Sequence, residues 1–250
     1  GERMVNLVTF VDRPEIASEL CSHLLRRFPT LTTFVNTINP RRAQIATGDV
    51  ERVYHGTGTI TEILGKYKFR ISANSFFQTN TNQAEKLFEL VKTLSEFKQS
   101  DVVYDLYSGT GALSIYISDA VHKVVGIELI PGSVTDAQHN ATLNGVTNCS
   151  FLQGDLKEKL SRDTHWVEEH GNPDAVVIDP PRSGMHPKVV QRVARLSPPH
   201  IVYVSCNPAT QARDIRFLAD AGYRIEHLQP VDLFPHTFHV ESVAKLARKP

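Results

Sequence analysis

The sequence predicts an α/β protein in two parts. Residues 1–73 form a small α/β subdomain, and residues 74–250 form a Rossmann-like domain with a mostly parallel seven-stranded sheet and flanking helices. Three observations carry this. From about residue 82, short apolar runs alternate with amphipathic stretches. The apolar runs end on glycine-rich or acidic residues, as strands leading into ligand-binding loops do. Residues 1–70 have another texture, with Thr/Val/Ile-rich runs and glycine turns.

In the first part, Met4 to Val11 reads as a strand and Pro14 to Phe28 as a helix. Ile16, Leu20, Leu24 and Phe28 recur at four-residue spacing on one expected face. Leu31 to Ile38 reads as a strand. Gly56-Thr-Gly58 is a turn signal, expected to serve a hairpin rather than a phosphate, since no helix follows it. Short β runs then continue to about Ile71.

In the second part, Asn82 to Phe97 is an amphipathic helix with Leu87, Leu90, Val91 and Leu94 on its apolar side. Strands are expected at Val102–Tyr107, Lys123–Glu128, Cys149–Leu152, Ala175–Asp179, Ile201–Ser205, Tyr223–Leu228 and Phe238–Lys245. Helices fit between most of them, at Ala112–Ser118, Ser133–Leu143, Pro187–Leu196 and Ala209–Ala221.

Composition narrows the function classes. With 27 Lys+Arg against 27 Asp+Glu the chain has no basic coat, so nucleic-acid binding would use local patches or a further domain. No apolar run reaches the ~20 residues that span a bilayer, and no signal peptide is visible. A membrane role is not expected. Cys21, Cys149 and Cys206 share no CxxC spacing, which fits a reducing, cytoplasmic setting without disulfides. The chain opens on Gly1, and it reads as part of something longer.

The residues with chemical promise stand at strand ends. Val202-Tyr-Val-Ser-Cys-Asn-Pro208 runs a strand into Cys206, followed by Asn at a helix N-cap and Pro at the first helical position. Amide N–H groups and the helix dipole favour a thiolate there, against the alternative of a cysteine that simply packs. Asp105-Leu-Tyr-Ser-Gly-Thr-Gly111 follows the first strand. Gly109 and Gly111 allow close backbone approach to a ligand, although Ser114 replaces the third glycine of a dinucleotide fingerprint. Glu128 ends the next strand, where a carboxylate can accept from a ribose diol. Asp155 follows the third, where it could take an adenine amino group. Asp179 is held by Pro180 and Pro181 at the end of the fourth, as a carboxylate for substrate. Phe76 and Gln78 can stack on and hydrogen-bond a base or cofactor. Glu241 lies in an apolar strand, where desolvation raises a carboxyl toward the range of a general base. His236, His239 and Glu241 match no common zinc spacing, so no metal is expected.

Together these motifs resemble the class I S-adenosylmethionine-dependent RNA uracil-5-methyltransferases, which form 5-methyluridine in tRNA and 23S rRNA. The resemblance rests on Phe76-Phe-Gln78, Asp105 to Gly111, Gly126-Ile-Glu128, Gly154-Asp155, Asp179-Pro-Pro-Arg182, Ser205-Cys-Asn-Pro208 and His236-Thr-Phe-His-Val-Glu241. These occur in the family's order across residues 74–246. It implies a class I methyltransferase fold, S-adenosyl-L-methionine as cofactor and RNA as partner. Cys206 is then the nucleophile that adds to C6 of uracil, Glu241 the base that removes the C5 proton, and Asp179 a catalytic carboxyl at the uracil edge. Gln78, Tyr107, Gly109, Gly111, Glu128, Asp155 and Asp179 line the cofactor. Phe76, Gln78, Arg182 and Asn207 meet the substrate, whose base would be flipped out of folded RNA.

Ser108 departs from the Cys of many members, and Ala112 from the Asn of several. The N-terminal RNA-binding barrel of many members, and the iron–sulfur cysteines of some, have no counterpart in these 250 residues. The expectation is a catalytic fragment, or a chain that grips RNA by other surfaces. Rival readings are a cytosine-5-methyltransferase, which would place a Cys after Pro181 where Arg182 stands; an exocyclic-amine methyltransferase, which needs neither Cys206 nor Glu241; and a non-catalytic RNA-binding module. The missing third glycine argues against a dehydrogenase.

Overall fold

The computed structural model describes residues 1–40, 48, 50–160 and 165–249. The chain divides into two compact units, Gly1–Phe77 and Gln78–Pro250. The division falls four residues beyond the expected 73/74 boundary, because the Asn74-Ser-Phe-Phe77 segment packs with the strands before it. Asn74 Oδ1 accepts from the Gly48 amide at 3.1 Å, and the Phe77 ring lies 5.5 Å from that of Phe69.

In the first unit, strand β1 (Met4–Thr9) and helix α1 (Pro14–Arg27) lead to β2 (Thr33–Ile38) and β3 (Val50–His55); a hairpin of β4 (Thr59–Leu64) and β5 (Tyr67–Ser72) follows. β2 runs parallel to β1 and antiparallel to β3. Pro14 starts α1, where its missing N–H is no loss. The buried face of α1 carries Ala17 and Cys21, backed by Leu20, Leu24 and Leu25, whereas Ile16 and Phe28 are exposed. A four-residue step advances 400° around a helix, so a strict spacing of four drifts off the face within two turns. The Gly56–Gly58 turn joins β3 to β4, which belong to different sheets, and so closes no hairpin. Gly56 turns at φ 71° against Thr32 and Thr33, and Gly58 at φ 79° against Val53, which is why both are glycine.

The second unit opens with α2 (Thr81–Ser95). It continues through β6 (Val102–Leu106), α3 (Ala112–Ile117), β7 (Lys123–Glu128), α4 (Pro131–Leu143), β8 (Cys149–Gln153) and the short α5 (Leu156–Lys159) and α6 (His165–His170). Then come β9 (Ala175–Ile178), α7 (Pro187–Leu196), β10 (His200–Ser205), α8 (Pro208–Asp220), β11 (Tyr223–Val231) and β12 (Glu241–Arg248). The sheet order is β11-β12-β10-β9-β6-β7-β8, with β6 to β10 parallel and β12 antiparallel to both its neighbours. The central strands are apolar on both faces, as a sheet covered by helices requires: Val124, Val125, Val176, Val177, Ile201 and Val202 are all fully buried. On α2 the buried residues are Ala84, Leu87, Phe88, Val91 and Ser95, while Leu90 and Leu94 are half-buried at the edge of that face.

The last strand begins at Glu241 and not at Phe238. Pro235 and the left-handed His236 (φ 68°) keep residues 232–240 in a turn. Glu241 is therefore the first residue of β12, beside the carboxyl end of β10. β6 is the topological switch point: its neighbours β7 and β9 lie on opposite sides, so the loops after β6 and β9 diverge and leave a crevice at their carboxyl ends.

Candidate active site

The loop after β6 turns on strained backbone. The amides of Tyr107 and Ser108 both donate to the carbonyl of Ile127, at 3.0 and 3.2 Å. Tyr107 sits in the left-handed region at φ 68°, with Gly109 and Gly111 at 53° and 77°. A non-glycine residue held there costs on the order of 1 kcal/mol and marks a loop shaped for a ligand. A side chain at Gly111 would strike the Phe151 ring at 2.8 Å, while the space beside Gly109 is open. Glu128 fastens this loop. Its carboxylate accepts from the Gly109 amide at 3.0 Å and the Ile130 amide at 2.8 Å. Two backbone donors leave a carboxylate further lone pairs for a diol. Asn140, buried on α4, donates to the Thr110 carbonyl at 3.2 Å.

Asp155 caps α5, accepting from the Lys157 amide at 2.8 Å and pairing with its ammonium at 2.9 Å. Burial pushes its carboxyl up, but the Lys157 hydrogen bonds and charge outweigh it and hold it below the usual range. The glycine loop, Glu128, Asp155 and the orphaned buried hydroxyl of Ser108 form a polar cradle at the ends of β6, β7 and β8. Its open glycine backbone and acceptor-rich rim fit an adenosine-bearing ligand.

Asp105, on β6 just before the glycine loop, is a further candidate that the motif does not single out. It is 1% exposed and accepts from Ser114 Oγ at 2.5 Å. Burial pushes its carboxyl up to about 7, with the Glu128 charge adding to the rise against Ser114. The sequence signal was a carboxylate inside the apolar run Val102-Val-Tyr-Asp-Leu106.

The second cluster gathers Asp179, Arg182, Cys206 and Glu241. Asp179 follows β9 and is pushed up to about 8 by burial, by Glu241 and by Asp105. Glu241 is 5% exposed and also raised by burial, with Arg182 pulling it down. Cys206 follows β10 at the start of α8. Its thiol is raised by burial and by the Glu241 and Asp179 charges, while Arg182, through its charge and a hydrogen bond, opposes them. Burial and the two neighbouring carboxyls therefore oppose the thiolate expected at the helix terminus, and Arg182 is the cation that favours ionisation.

Polar side chains of α8 hold this cluster. Gln211, 2% exposed, donates to the carbonyls of Tyr203 on β10 and Ser242 on β12 at 2.8 and 3.0 Å. It ties the strand that leads to Cys206 to the strand that begins at Glu241. Buried Asp214 accepts from the Met185 amide and the Tyr203 hydroxyl, both at 2.8 Å, and pairs with Arg213 at 2.7 Å. Arg213 in turn donates to the carbonyls of Ser183 and Met185. Neither Gln211 nor Asp214 stands out in the sequence; the signal is two polar side chains on the face of α8 that also carries Ile215 and Leu218.

Gln78 lies just before Asn80, the N-cap of α2, whose amide donates to the Leu233 carbonyl at 3.0 Å. Phe76 is exposed in the first unit. Tyr107 is half-buried against the main core. Among the described residues, no group of three His, Cys, Asp or Glu side chains is arranged to hold a metal, and no helix is long and apolar enough to cross a membrane.

A seven-stranded sheet of this order, with a glycine loop at its switch point and its last strand inserted antiparallel between two neighbours, is the class I methyltransferase fold. Within it, the chain belongs to the tRNA (uracil-5-)-methyltransferase family, whose model matches residues 57–249. It is 43% identical over 250 residues to an uncharacterized RNA methyltransferase of Porphyromonas gingivalis, covering 99% of this chain and 53% of that protein. To one from Chlorobaculum tepidum it is 44% identical over 246 residues, covering 98% and 51%. Among solved structures, it is similar to the Pyrococcus abyssi tRNA (uracil-54, C5)-methyltransferase in complex with S-adenosyl-L-homocysteine. The TM-score there is 0.76 at 35% identity, covering 98% of this chain and 56% of that one. The chain spans about half the length of the curated relatives it matches.

Proposed function

We propose that this chain is the catalytic part of an S-adenosylmethionine-dependent RNA methyltransferase that methylates C5 of a uridine, in tRNA or 23S rRNA, through a covalent adduct on Cys206. The observation that carries this reading is the convergence of Cys206, Glu241, Asp179 and Arg182 at one end of the sheet, beside the glycine loop. Methylation of an exocyclic amine needs neither a thiol nor a buried base, so the pair speaks for carbon chemistry.

Uracil C5 is a weak nucleophile. Cys206 loses its proton to solvent, a loss that the Arg182 charge favours, and the thiolate adds to C6 while the C5–C6 π pair moves into an enolate that makes C5 nucleophilic. Asp179, raised to about 8, is protonated at neutral pH and can donate a hydrogen bond to the uracil edge as the enolate forms. Gln78, Tyr107, Gly109, Gly111, Glu128, Asp155 and Asp179 would hold S-adenosylmethionine, which would supply the methyl group for C5 by breaking its sulfonium S–CH3 bond and would leave as S-adenosylhomocysteine. The Glu241 carboxylate then takes the C5 proton. That electron pair re-forms C5=C6, and the C6–S bond breaks to return the thiolate. Phe76, Gln78, Arg182 and Asn207 meet the substrate in this reading, and the first unit faces RNA.

Nucleoside mass spectrometry on RNA from a strain lacking the gene tests this. One 5-methyluridine should be missing, and this protein should restore it in vitro. Unchanged 5-methyluridine together with a missing methylated cytidine or amine would overturn the reading.

A further inference from the structure

We propose that Phe238 is a stacking platform for an unpaired RNA base next to the uridine being methylated, an inference that rests on the proposed function. Phe238 is 89% exposed, so its ring gains almost nothing from folding. Single exposed apolar residues are common, but this one is held out by a built turn. Thr237 donates through its amide and its hydroxyl to the Phe234 carbonyl, at 3.2 and 2.8 Å. The His239 amide donates to Thr237 Oγ1 at 3.1 Å, and His236 is left-handed. The same turn delivers Glu241 three residues later.

The ring also has neighbours suited to nucleic acid. Its centroid lies 4.1 Å from that of His239, tilted by 44°. On His239, Arg182 Nη2 is 3.3 Å from Nε2 and 3.4 Å from Nδ1, so the guanidinium meets the imidazole as a whole and not one nitrogen. That guanidinium is the group whose charge reaches both Cys206 and Glu241. Phe238, His239 and Arg182 thus form an aromatic–cationic row that links the exposed ring to the cation beside the reactive pair. An exposed π face beside a cation is what an unpaired base and its phosphate require. The occupant is a flanking base because the Phe238 ring stands 89% exposed, whereas the reacting ring must lie against the partly buried sulfur of Cys206.

The test compares Phe238→Ala, Phe238→Leu and Phe238→Trp with wild type in binding a fluorescent oligouridine and an abasic ribose–phosphate chain of equal length. Ala and Leu should weaken oligouridine binding by roughly tenfold to a hundredfold, the scale of one lost base–aromatic stack. Trp should retain it, and binding of the abasic chain should not change. Phe217→Ala, an exposed phenylalanine outside the site, should leave both affinities alone. On RNA from the deletion strain, the Phe238→Ala loss should fall on KM and not on kcat. Wild-type affinity in Phe238→Ala, or an equal loss on the abasic chain, would overturn the platform. So would a fall in kcat alone, which would place the ring on the reacting base. If wild type makes no 5-methyluridine, the function reading fails, while the binding comparison still decides the role of Phe238.

Discussion

The side-chain amide of Asn207 donates to the backbone carbonyl of Arg182 at 3.1 Å, while its own oxygen accepts from the amides of Ala209 and Thr210 at 3.1 and 3.5 Å. One side chain starts the helix behind Cys206 and ties that loop to the loop carrying Asp179 and Arg182. Asn207→Ala should therefore lower stability by about 2 kcal/mol, roughly 1 for the cap and 1 for the hydrogen bond. Asn207→Asp keeps the cap but sets a carboxylate against the Arg182 carbonyl. It should retain most of the stability and still lose activity. Urea titration alongside turnover separates the two effects; equal activity in Asn207→Asp and wild type would contradict the link.

Glu128 both holds the glycine loop and faces the cradle. Glu128→Ala should weaken S-adenosylhomocysteine binding by about 1–3 kcal/mol, the scale of hydrogen bonds to a charged group. Calorimetry measures this directly. Tight nicotinamide dinucleotide binding without S-adenosylhomocysteine binding would contradict the assignment of the cradle.

The proposed reaction needs Cys206 and Glu241 ionised, and both are raised in this site, so activity should climb with pH as they ionise, a climb opposed above about pH 8 where Asp179 loses the proton it donates. Arg182 pulls both down. In Arg182→Gln the rising limb of the pH–rate profile should move to higher pH. A limb that stays in place or moves lower would show that Arg182 does not set the ionisation of the pair.

Asp179 gives a stability test of opposite sign. Its folded carboxyl, at about 8, lies well above an unfolded aspartate, so between those values the folded state holds the extra proton. Its contribution is fully present below about pH 4 and is lost as pH rises through 8. Melting temperatures of wild type should fall more steeply between pH 5 and 9 than those of Asp179→Asn, which stays neutral. Parallel curves would show that Asp179 is ionised in the fold.

The sheet domain was legible because its strands are apolar runs bounded by glycine, proline and acid, and those boundaries are also where the candidate site residues stand. Cys206, Glu241, Asp179, Glu128 and the glycine loop could be named for that reason. Their electrostatics could not. Helix-dipole reasoning at Asn207-Pro208 sees one element, whereas the ionisation of Cys206 depends on carboxyls delivered by β9 and β12. Gln211 and Asp214 were invisible because a polar residue on a helix reads as solvent-facing until the strands behind it are placed. The start of β12 was misplaced because Phe238 and Val240 look like strand residues, although the turn at His236 and Thr237 prevails.

The covalent adduct tests the central claim most directly. Glu241→Gln should still allow attack and methylation but stall before elimination. Incubated with substrate RNA and S-adenosylmethionine, it should run on a denaturing gel as an RNA–protein adduct, and the double variant that also carries Cys206→Ala should show none. An adduct that persists without Cys206, or full turnover by Cys206→Ala, would contradict covalent catalysis by this cysteine.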